Sequence, residues 1–382
     1  MPTSTAPRRR AGPSGGSGAR KGSPPKKRKS AKGRRKSRSR RARRAVLLVI
    51  LVASVVVGWQ ATGRDLSALP FLDSIAGSST TPTWPLTGVP GEAVADRPAL
   101  AVKIENSIDA RPQTGLNAAD LVWEEVVEGG ITRFVAVYHS NLPPEIGPVR
   151  SIRPMDPAIA APLHGLLAFS GGVPAYVDAA RNAGLQVLTQ DSGTDGFHRT
   201  STRRAPHNVY ATPEALVAQA DDAHRAAPAA QFAYPRAGRQ PTAVSDGQLT
   251  GPLALTMSGV GHPHWTWNAE VGRWLRAEGS APAVEAGGSQ IAATNVVVLR
   301  VDVVTTDARD PAGNPVPETV MKGSGDALVA SGGHTVAATW SKDGIDDPVT
   351  LTGTDGDQVT LAPGNTWVEL VPNRTGAVAA DP

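Results

Sequence analysis

The stretch RPALAVKIENSIDARPQTGLNAADLVWEEVVEGGITRFVAVYHS, residues 97–140, holds three segments with the composition of β-strands. Residues 100–105, 121–127 and 133–139 are rich in the apolar, β-branched and aromatic side chains that strands favour. A Gly-Gly pair at 129–130 separates the last two segments and is typical of a hairpin connection. The sequence therefore predicts a sheet whose first strands come from this stretch.

Within the folded part of the chain, helices are predicted in two places. A further apolar strand at 165–169 runs into Ser170-Gly171-Gly172, and Pro174 then suits the first turn of a helix that ends near Gly184. Thr212 and Pro213 are typical of the start of a second helix, which we expect to extend to about residue 226.

The second half of the chain changes character and predicts mainly strands. Its β-branched segments alternate with Asp-Gly and Pro-Gly turns, and it contains no long amphipathic pattern. The predicted strands are 264–268, 272–277, 295–305, 335–341, 348–351, 358–361 and 366–371. These patterns together indicate an α+β protein with a β-rich C-terminal module.

Charge is divided sharply along the chain. The first 44 residues hold 18 of the 39 Lys and Arg and no Asp or Glu, so residues 45–382 carry 21 basic and 34 acidic residues, a net charge of −13. The apolar segment 45–61 follows the basic block directly, and such a block is retained on the cytoplasmic face of a membrane. We therefore expect a single-pass signal anchor with an extracytoplasmic C-terminal domain in the cell membrane; a cleaved signal peptide is the alternative.

These features divide the chain into six expected parts. The basic tail should be disordered and attracted to anionic lipid head groups, and we do not expect a nucleic-acid partner for it. The chain has no cysteine, so its exported part must be stable without disulfides. The parts are a cytoplasmic tail 1–44, a transmembrane segment 45–61, a Ser/Thr/Pro/Gly-rich linker 62–94, an N-terminal module 95–230, a C-terminal module 231–374 and a disordered tail 375–382.

Three glutamates near the predicted hairpin are candidate catalytic acids. Glu124 and Glu125 are adjacent, so on a strand they face opposite sides and only one can serve a given site. Glu128 lies in the hairpin connection. Glycoside cleavage needs paired carboxylates, one of which donates a proton to the leaving oxygen. The simpler interpretation is structural pairing with a nearby arginine.

Arg133, Arg150 and Arg153 are candidate ligand-binding residues. Converging guanidinium groups can hold a carboxylate or a phosphate in a bidentate manner. Cell-wall peptides, muramic lactyl groups and teichoic phosphates all offer such anions. Alternatively, each arginine neutralises a buried acid, such as Glu125 or Asp120.

Two further polar segments could take part in a site. Ser170, Gly171 and Gly172 lie between a strand and a helix, where backbone N–H groups can bind an anion. Farther along, Arg204, His207 and Asn208 form a second polar patch, in which the histidine could act as an acid or base near neutral pH. The remaining histidines lack metal-ligand spacing, so we expect neither a metal nor another cofactor.

The stretch 97–140, followed by IGPVRSIR and RRAPHNVY, resembles the YerB-like family of bacterial envelope proteins, a family defined by DUF3048 N- and C-terminal modules. KGSGDALVASGGHTVAATWSK and VTLAPGNTWVELVP resemble the C-terminal module of that family. The resemblance spans residues 97–372 and implies an α+β fold with stacked sheets and helices on one side. Members are often lipoproteins, whereas this chain has a predicted membrane span in place of a lipidated cysteine. The resemblance implies no reaction.

We interpret the chain as a membrane-anchored envelope protein that binds a cell-wall polymer or a protein of the wall machinery. One alternative is a peptidoglycan-cleaving enzyme, either a glycan hydrolase or a lytic transglycosylase, with a glutamate as acid or base. Another is a cytoplasmic role for the basic tail, with the outer domain acting as a sensor. The density of Glu, Arg, His and Asn in the N-terminal module indicates a functional cleft but does not separate binding from catalysis.

Overall fold

The computed structural model describes residues 81–91, 94–310 and 313–380, and its largest sheet is built around the stretch quoted above. The three predicted strands are confirmed as β1 (Leu100–Glu105), β2 (Leu121–Val126) and β3 (Thr132–Tyr138). Every residue of these strands is buried. They are therefore central strands with packed side chains on both faces of the sheet.

The rest of the described chain adds many strands and a few short helices. The strands are β4 Leu166–Phe169, β5 Gln186–Thr189, β6 Phe197–Arg199, β7 Val209–Ala211, β8 Gln248–Leu249, β9 Leu253–Thr256, β10 Pro263–Asn268, β11 Arg273–Glu278, β12 Ala281–Pro282, β13 Ala292–Ala293, β14 Asn295–Val301, β15 Val303–Arg309, β16 Pro315–Thr319, β17 Gly323–Ser331, β18 His334–Lys342, β19 Thr350–Gly353, β20 Thr366–Pro372 and β21 Ala377–Ala380. The α-helices are α1 Asp156–Ala160, α2 Pro174–Asn182, α3 Pro213–Val217 and α4 Thr242–Asp246. The predicted class was α+β, and the structure is closer to all-β because strands far outnumber helices. The expected placement of the helices on one side of stacked sheets stays a prediction.

The strands form one large sheet and one smaller sheet. In the eleven-stranded sheet the order is β19-β18-β17-β14-β20-β2-β3-β1-β4-β5, with β8 paired to β18. In the six-stranded sheet the order is β12-β11-β10-β9-β21, with β13 paired to β11. β10 and β11 form the predicted antiparallel hairpin. Two small two-stranded pairs, β15-β16 and β6-β7, complete the set.

The two predicted modules share the large sheet. β2 from the N-terminal module lies parallel to β20 from the C-terminal module, with Leu121 opposite Thr366 and Glu124 opposite Glu369. Residues Thr80–Pro382 accordingly form one compact unit. The boundary expected at residue 230 divides the sequence but not the sheet.

A hydrophobic core lies on each face of the large sheet. Successive residues of β3 show this, because Val135 packs into one core and Phe134 into the other. Val135 shares its core with Trp123 and residues of α1, whereas Phe134 shares its core with Trp265. Trp265 belongs to β10, so the six-stranded sheet covers the Phe134 face.

Some predicted boundaries differ from the structure. The helix expected to reach residue 226 ends at Val217, and the Asp221 carboxylate accepts hydrogen bonds from the backbone N–H groups of Ala223 and His224. A side chain that binds backbone donors in this way competes with helix continuation. The strand predicted at 358–361 is reduced to isolated bridges at Gln358 and Thr360.

Parts of the expected linker and of the expected disordered tail are folded. Leu86 is fully buried, and its carbonyl accepts a hydrogen bond from the Tyr234 hydroxyl at 2.5 Å. The apolar side chains of Trp84 and Leu86 explain why residues 81–91 pack against the domain. At the other end, β21 pairs with β9, where a disordered tail 375–382 was predicted.

The other terminal predictions fall outside the described residues. They concern the basic tail 1–44, the transmembrane segment 45–61 and the linker up to residue 80. In the portion that the structure does describe, no helix has both the length and the hydropathy needed to cross a bilayer.

Candidate functional site

Charged side chains gather where β1 and β2 end and β3 begins. Glu105 lies opposite Arg133, and Arg133 lies opposite Glu125. Because directly opposed residues of antiparallel strands share a face, these three side chains lie on one face of the sheet. Glu124, one residue from Glu125, lies on the other face. Both faces of the same end of the sheet therefore carry charge.

Glu125 belongs to a buried charged triad. Lys103 Nζ contacts Glu125 Oε1 and lies 2.7 Å from Asp156 Oδ1, and all three side chains are fully buried. Asp156 begins α1, and its Oδ2 accepts a hydrogen bond of 2.7 Å from the backbone N–H of Arg153. Burial, reinforced by the charge of Asp156, raises the pKa of Glu125 to about 8, against the opposing effect of Lys103. Glu125 thus takes up a proton more readily than an exposed glutamate does.

Glu124 belongs to a second buried network on the opposite face, centred on Arg276 of β11. Arg276 Nη2 lies 2.8 Å from Glu124 Oε2 and 2.6 Å from Glu278 Oε1, and Nη1 lies 2.9 Å from Glu369 Oε1. Burial disfavours the charged guanidinium, but the three carboxylates raise the pKa of Arg276 above its ordinary value. Burial and the neighbouring Glu124 raise the pKa of Glu369 well above its ordinary value. One buried arginine therefore organises three acids.

Aromatic rings enclose the Arg276 guanidinium. Its central carbon lies 4.9 Å from the ring centroid of Trp367, 5.4 Å from that of Phe134 and 5.5 Å from that of Trp265. The Trp265 indole N–H also donates a 2.7 Å hydrogen bond to Glu369 Oε1. These cation–π contacts add to the stability of the buried charge. Both tryptophans are fully buried and belong to the core.

The prediction that Glu124 and Glu125 face opposite sides is confirmed. Each is fully buried and held by a different cation, Arg276 for Glu124 and Lys103 for Glu125. Glu128, the third candidate, is only 6% exposed and is bound by Arg153 at two positions, Nη2 to Oε2 at 2.7 Å and Nε to Oε1 at 2.5 Å. The structure thus places all three carboxylates in ion pairs.

The three candidate arginines lie together near Glu105 and Glu128. Arg153 pairs with Glu128, and Arg150 Nε lies 3.4 Å from Glu105 Oε1. Arg133 Nη1 donates to the carbonyl of Ser151 at 2.8 Å. Burial, with the positive charges of Arg153 and Arg150, lowers the pKa of Arg133 to about 10. Arg150 and Arg153 therefore pair with buried acids, as the alternative interpretation predicted, but these acids are Glu105 and Glu128 instead of Glu125 or Asp120.

His207 joins this arginine cluster through Glu105. Its Nδ1 lies 2.9 Å from Glu105 Oε2, and its side chain is 21% exposed. The Ser107 hydroxyl donates to the same carboxylate at 2.9 Å. The pair of His207 and Glu105 is thus a partly accessible group that could accept or donate a proton. Glu105 was not among the residues predicted from the sequence.

The other members of the predicted polar patch are arranged differently. The Asn208 side chain binds Arg199 at 2.8 Å and the carbonyl of Thr200 at 3.3 Å, so it braces the β6–β7 hairpin. Arg204 is exposed on the connection between these strands. The structure brings His207 to the arginine cluster but does not bring Asn208 there.

The Ser170–Gly172 loop holds the segment that carries Arg150 and Arg153. Its backbone N–H groups are therefore not all free to bind a ligand. The Ser170 N–H donates to the carbonyl of Arg150, and the Ile152 N–H donates to the carbonyl of Gly171, each at 3.0 Å. A Cβ atom at Gly172 would lie 2.4 Å from Ile152 Cγ2. Glycine at position 172 therefore permits the close approach of the 150–152 segment. The backbone N–H of Ser170 is already bonded within the protein, so it cannot serve the predicted anion site.

A cleft of about 220 Å³ adjoins the Arg276 network. Its polar lining comes from Asn106, Arg111, Gln113, Arg276 and Glu278, none of which was predicted from the sequence.

The buried charged networks could have been noticed in the sequence, because each places a charged residue inside an apolar strand. Examples are LAVKIE around Lys103 and WVELV around Glu369. Such a charge is costly to bury unless it is paired. Across the described ranges, no group of three or more His, Asp or Glu side chains could hold a metal ion.

Comparison with known families agrees with the resemblance seen in the sequence. Residues 86–226 match the N-terminal domain of a family described as protein of unknown function (DUF3048), and residues 253–368 match the C-terminal domain. The chain belongs to the DUF3048 family. The triad around Lys103 lies within the N-terminal domain. The network around Arg276 joins the two domains, because Arg276 of the C-terminal domain pairs with Glu124 of the N-terminal domain.

This DUF3048 chain also resembles individual proteins. It is 23% identical over 318 residues to the Bacillus subtilis (strain 168) protein named "Putative lipoprotein YerB", a match that covers 77% of this chain and 87% of the relative. The crystal structure of the YerB protein from Bacillus subtilis matches the fold with a TM-score of 0.65 at 20% identity, covering 78% of this chain and 99% of that one. At this identity the structural match establishes the fold.

Proposed function

We propose that this chain is a membrane-anchored envelope protein that binds an anionic cell-wall polymer through Arg150 and Arg153, next to buried Arg133, without cleaving it. The lipoprotein name of the B. subtilis relative supports an envelope location. The basic block 1–44 followed by the apolar segment 45–61 supports a single-pass anchor with the domain outside the membrane.

The observation that carries this proposal is the composition of the arginine cluster. Three guanidiniums meet two carboxylates, Glu105 and Glu128, so the cluster has one positive charge in excess. Side-chain exposure of 21% at Arg150 and 12% at Arg153 leaves both within reach of a ligand. Arginine recognises carboxylates and phosphates in a bidentate manner, and wall polymers carry both groups.

The state of the glutamates favours binding over cleavage. A glycan hydrolase or lytic transglycosylase needs an acid that can reach the glycosidic oxygen. Glu124 and Glu125 are fully buried, and the two oxygens of Glu128 face Arg153. This arrangement supports a structural role for the three acids, and the enzyme hypothesis has less support.

Sedimentation with peptidoglycan sacculi tests the proposal. The fragment 80–382 is suitable, because it forms one compact unit and lacks the basic tail, which would itself bind anionic polymers. We expect the double variant Arg150→Gln/Arg153→Gln to bind at least tenfold more weakly, since it loses two charge-assisted contacts of about 1.5–3 kcal/mol each. Sacculi with and without teichoic acid would distinguish phosphate from carboxylate recognition.

A matched variant controls for the loss of positive charge alone. Arg181→Gln on α2 removes an exposed guanidinium that pairs with exposed Asp178 and should leave binding unchanged. Circular dichroism would establish that the double variant remains folded. Equal binding by the wild type and the folded double variant would refute the proposal.

A further inference from the structure

The cleft beside Arg276 is separate from the arginine cluster. It lies between the loop that follows β1 and the β11–β12 hairpin, on the face of the sheet opposite Arg133. Its volume of about 220 Å³ is smaller than the roughly 300–1,000 Å³ typical of sites for drug-sized ligands. A ligand of amino-acid size fits this space better than a sugar polymer does.

Two opposite charges lie at the edge of the cleft and are both held in place. Arg111 Nη2 lies 3.3 Å from Glu278 Oε2, with the side chains 32% and 12% exposed. Arg111 donates from Nε to Asn106 Oδ1 at 2.9 Å and from Nη2 to the Asn106 carbonyl at 3.0 Å. Glu278 is fixed by Arg276 at 2.6 Å. A cation and an anion are therefore presented side by side before any ligand arrives.

Opposite charges alternate at the edge of the cleft, because Glu278 lies between Arg276 and Arg111. Burial opposes ionisation of Glu278, but Arg276 and Arg111 lower its pKa below the ordinary value. A zwitterion offers an opposite charge both to Arg111 and to Glu278, which favours it over a simple anion or cation.

The rest of the cleft is apolar. Phe134 and Ile291 are buried, whereas Val284 is 38% exposed, and Pro112, Pro282 and two alanines complete the apolar lining. Apolar walls next to a few fixed polar groups are the usual composition of a small-molecule site. These walls suit an aliphatic side chain.

We propose that the cleft binds the zwitterionic head of an α-amino acid with an aliphatic side chain, its carboxylate on Arg111 and its ammonium on Glu278. A free amino acid carries this head group, and so does the unlinked end of a diamino acid in a wall peptide. The proposal does not depend on the arginine cluster, because the two sites use different residues on opposite faces of the sheet.

Isothermal titration calorimetry on the full-length chain tests this site with defined probes. The probes are leucine, isovalerate, which lacks the ammonium, isoamylamine, which lacks the carboxylate, and a muropeptide with an unlinked diaminopimelate end. We expect leucine or the muropeptide to bind at least tenfold more tightly than isovalerate and isoamylamine. The tighter of the two zwitterions identifies the source of the head group.

Variants assign the binding to the cleft. Arg111→Gln and Glu278→Gln should each weaken binding of the zwitterion at least tenfold, whereas Arg181→Gln on α2 and Glu270→Gln at the exposed β10–β11 turn should not. Arg111 is the decisive position, because Glu278 also contacts buried Arg276 and its replacement could disturb folding. The double variant Arg150→Gln/Arg153→Gln should keep wild-type binding of leucine, which separates this site from the arginine cluster.

Either of two results would overturn the inference. The first is the absence of heat from both zwitterions at millimolar concentration. The second is binding that is equal for all four probes or unchanged in Arg111→Gln.

Discussion

Replacing Arg276 with methionine is expected to lower the free energy of unfolding by about 3–5 kcal/mol, the usual cost of removing one partner from a buried ion pair. The substitution leaves Glu124, Glu278 and Glu369 around an apolar side chain, and two of these acids are fully buried. It also removes the cation that Trp367, Trp265 and Phe134 surround. Urea unfolding of the 80–382 unit, followed by tryptophan fluorescence, would measure the loss.

The pH dependence of this loss provides an internal check. Unpaired buried carboxylates have raised pKa values in the folded state, so the folded variant binds more protons than the unfolded chain and loses stability as pH rises. The deficit of Arg276→Met should therefore be larger at pH 8 than at pH 5. Arg181→Met on α2 should change stability by less than about 1 kcal/mol, since it breaks only an exposed pair. A deficit below about 1 kcal/mol for Arg276→Met would contradict the proposed role of this arginine.

Replacing Lys103 with methionine is the second change for which we expect a loss of about 3–5 kcal/mol. Lys103 is the cation between Glu125 and Asp156, and all three side chains are fully buried. Without it, two acids repel each other in a site closed to water. Urea unfolding again measures the loss, and Lys322→Met at an exposed position is the matched control.

The wild-type protein should also show the titration of Glu125. Its pKa of about 8 in the folded state is above the ordinary value of 4.5, so its contribution to stability is fully present below pH 4.5 and is lost as pH rises through 8. One proton changes the unfolding free energy by at most about 1.4 kcal/mol per pH unit. Glu125→Gln should flatten this part of the stability profile. A wild-type profile that matches the Glu125→Gln profile between pH 5 and 8 would contradict the assignment.

Local patterns were sufficient to predict the strands that form the centre of the fold. β1, β2 and β3 follow from apolar, β-branched segments, and the β10–β11 hairpin follows from two such segments around a short turn. The two-residue period of a strand also predicted that Glu124 and Glu125 face opposite sides. These features depend on neighbouring residues alone.

The partners of the buried charges depend on contacts distant in sequence, and no local pattern contains them. Arg276 reaches Glu124 because β10 and β11 lie in a second sheet over the Phe134 face. Glu369 reaches the same arginine because β20 pairs with β2 across the module boundary. Lys103 and Glu369 are charged residues among apolar neighbours, but the sequence around them does not indicate which residues they meet.

The candidate site was predicted only in part for the same reason. Arg133, Arg150 and Arg153 were candidate ligand-binding residues whose convergence the sequence left open, and they lie together because the 150–152 segment runs between β1 and the Ser170–Gly172 loop. Their acidic partner Glu105 was missed because it ends a strand that otherwise reads as core. Asn208 was expected in the site but braces a hairpin instead.

The most direct test of the whole account asks whether this protein breaks a bond in the cell wall. Residues 80–382 would be incubated with purified sacculi, and the soluble fraction would be analysed by mass spectrometry beside the Glu128→Gln variant. The account predicts that the protein sediments with the sacculi and that no soluble muropeptides appear with either form. Muropeptides released by the wild type and absent with Glu128→Gln would contradict it and would identify Glu128 as a catalytic acid.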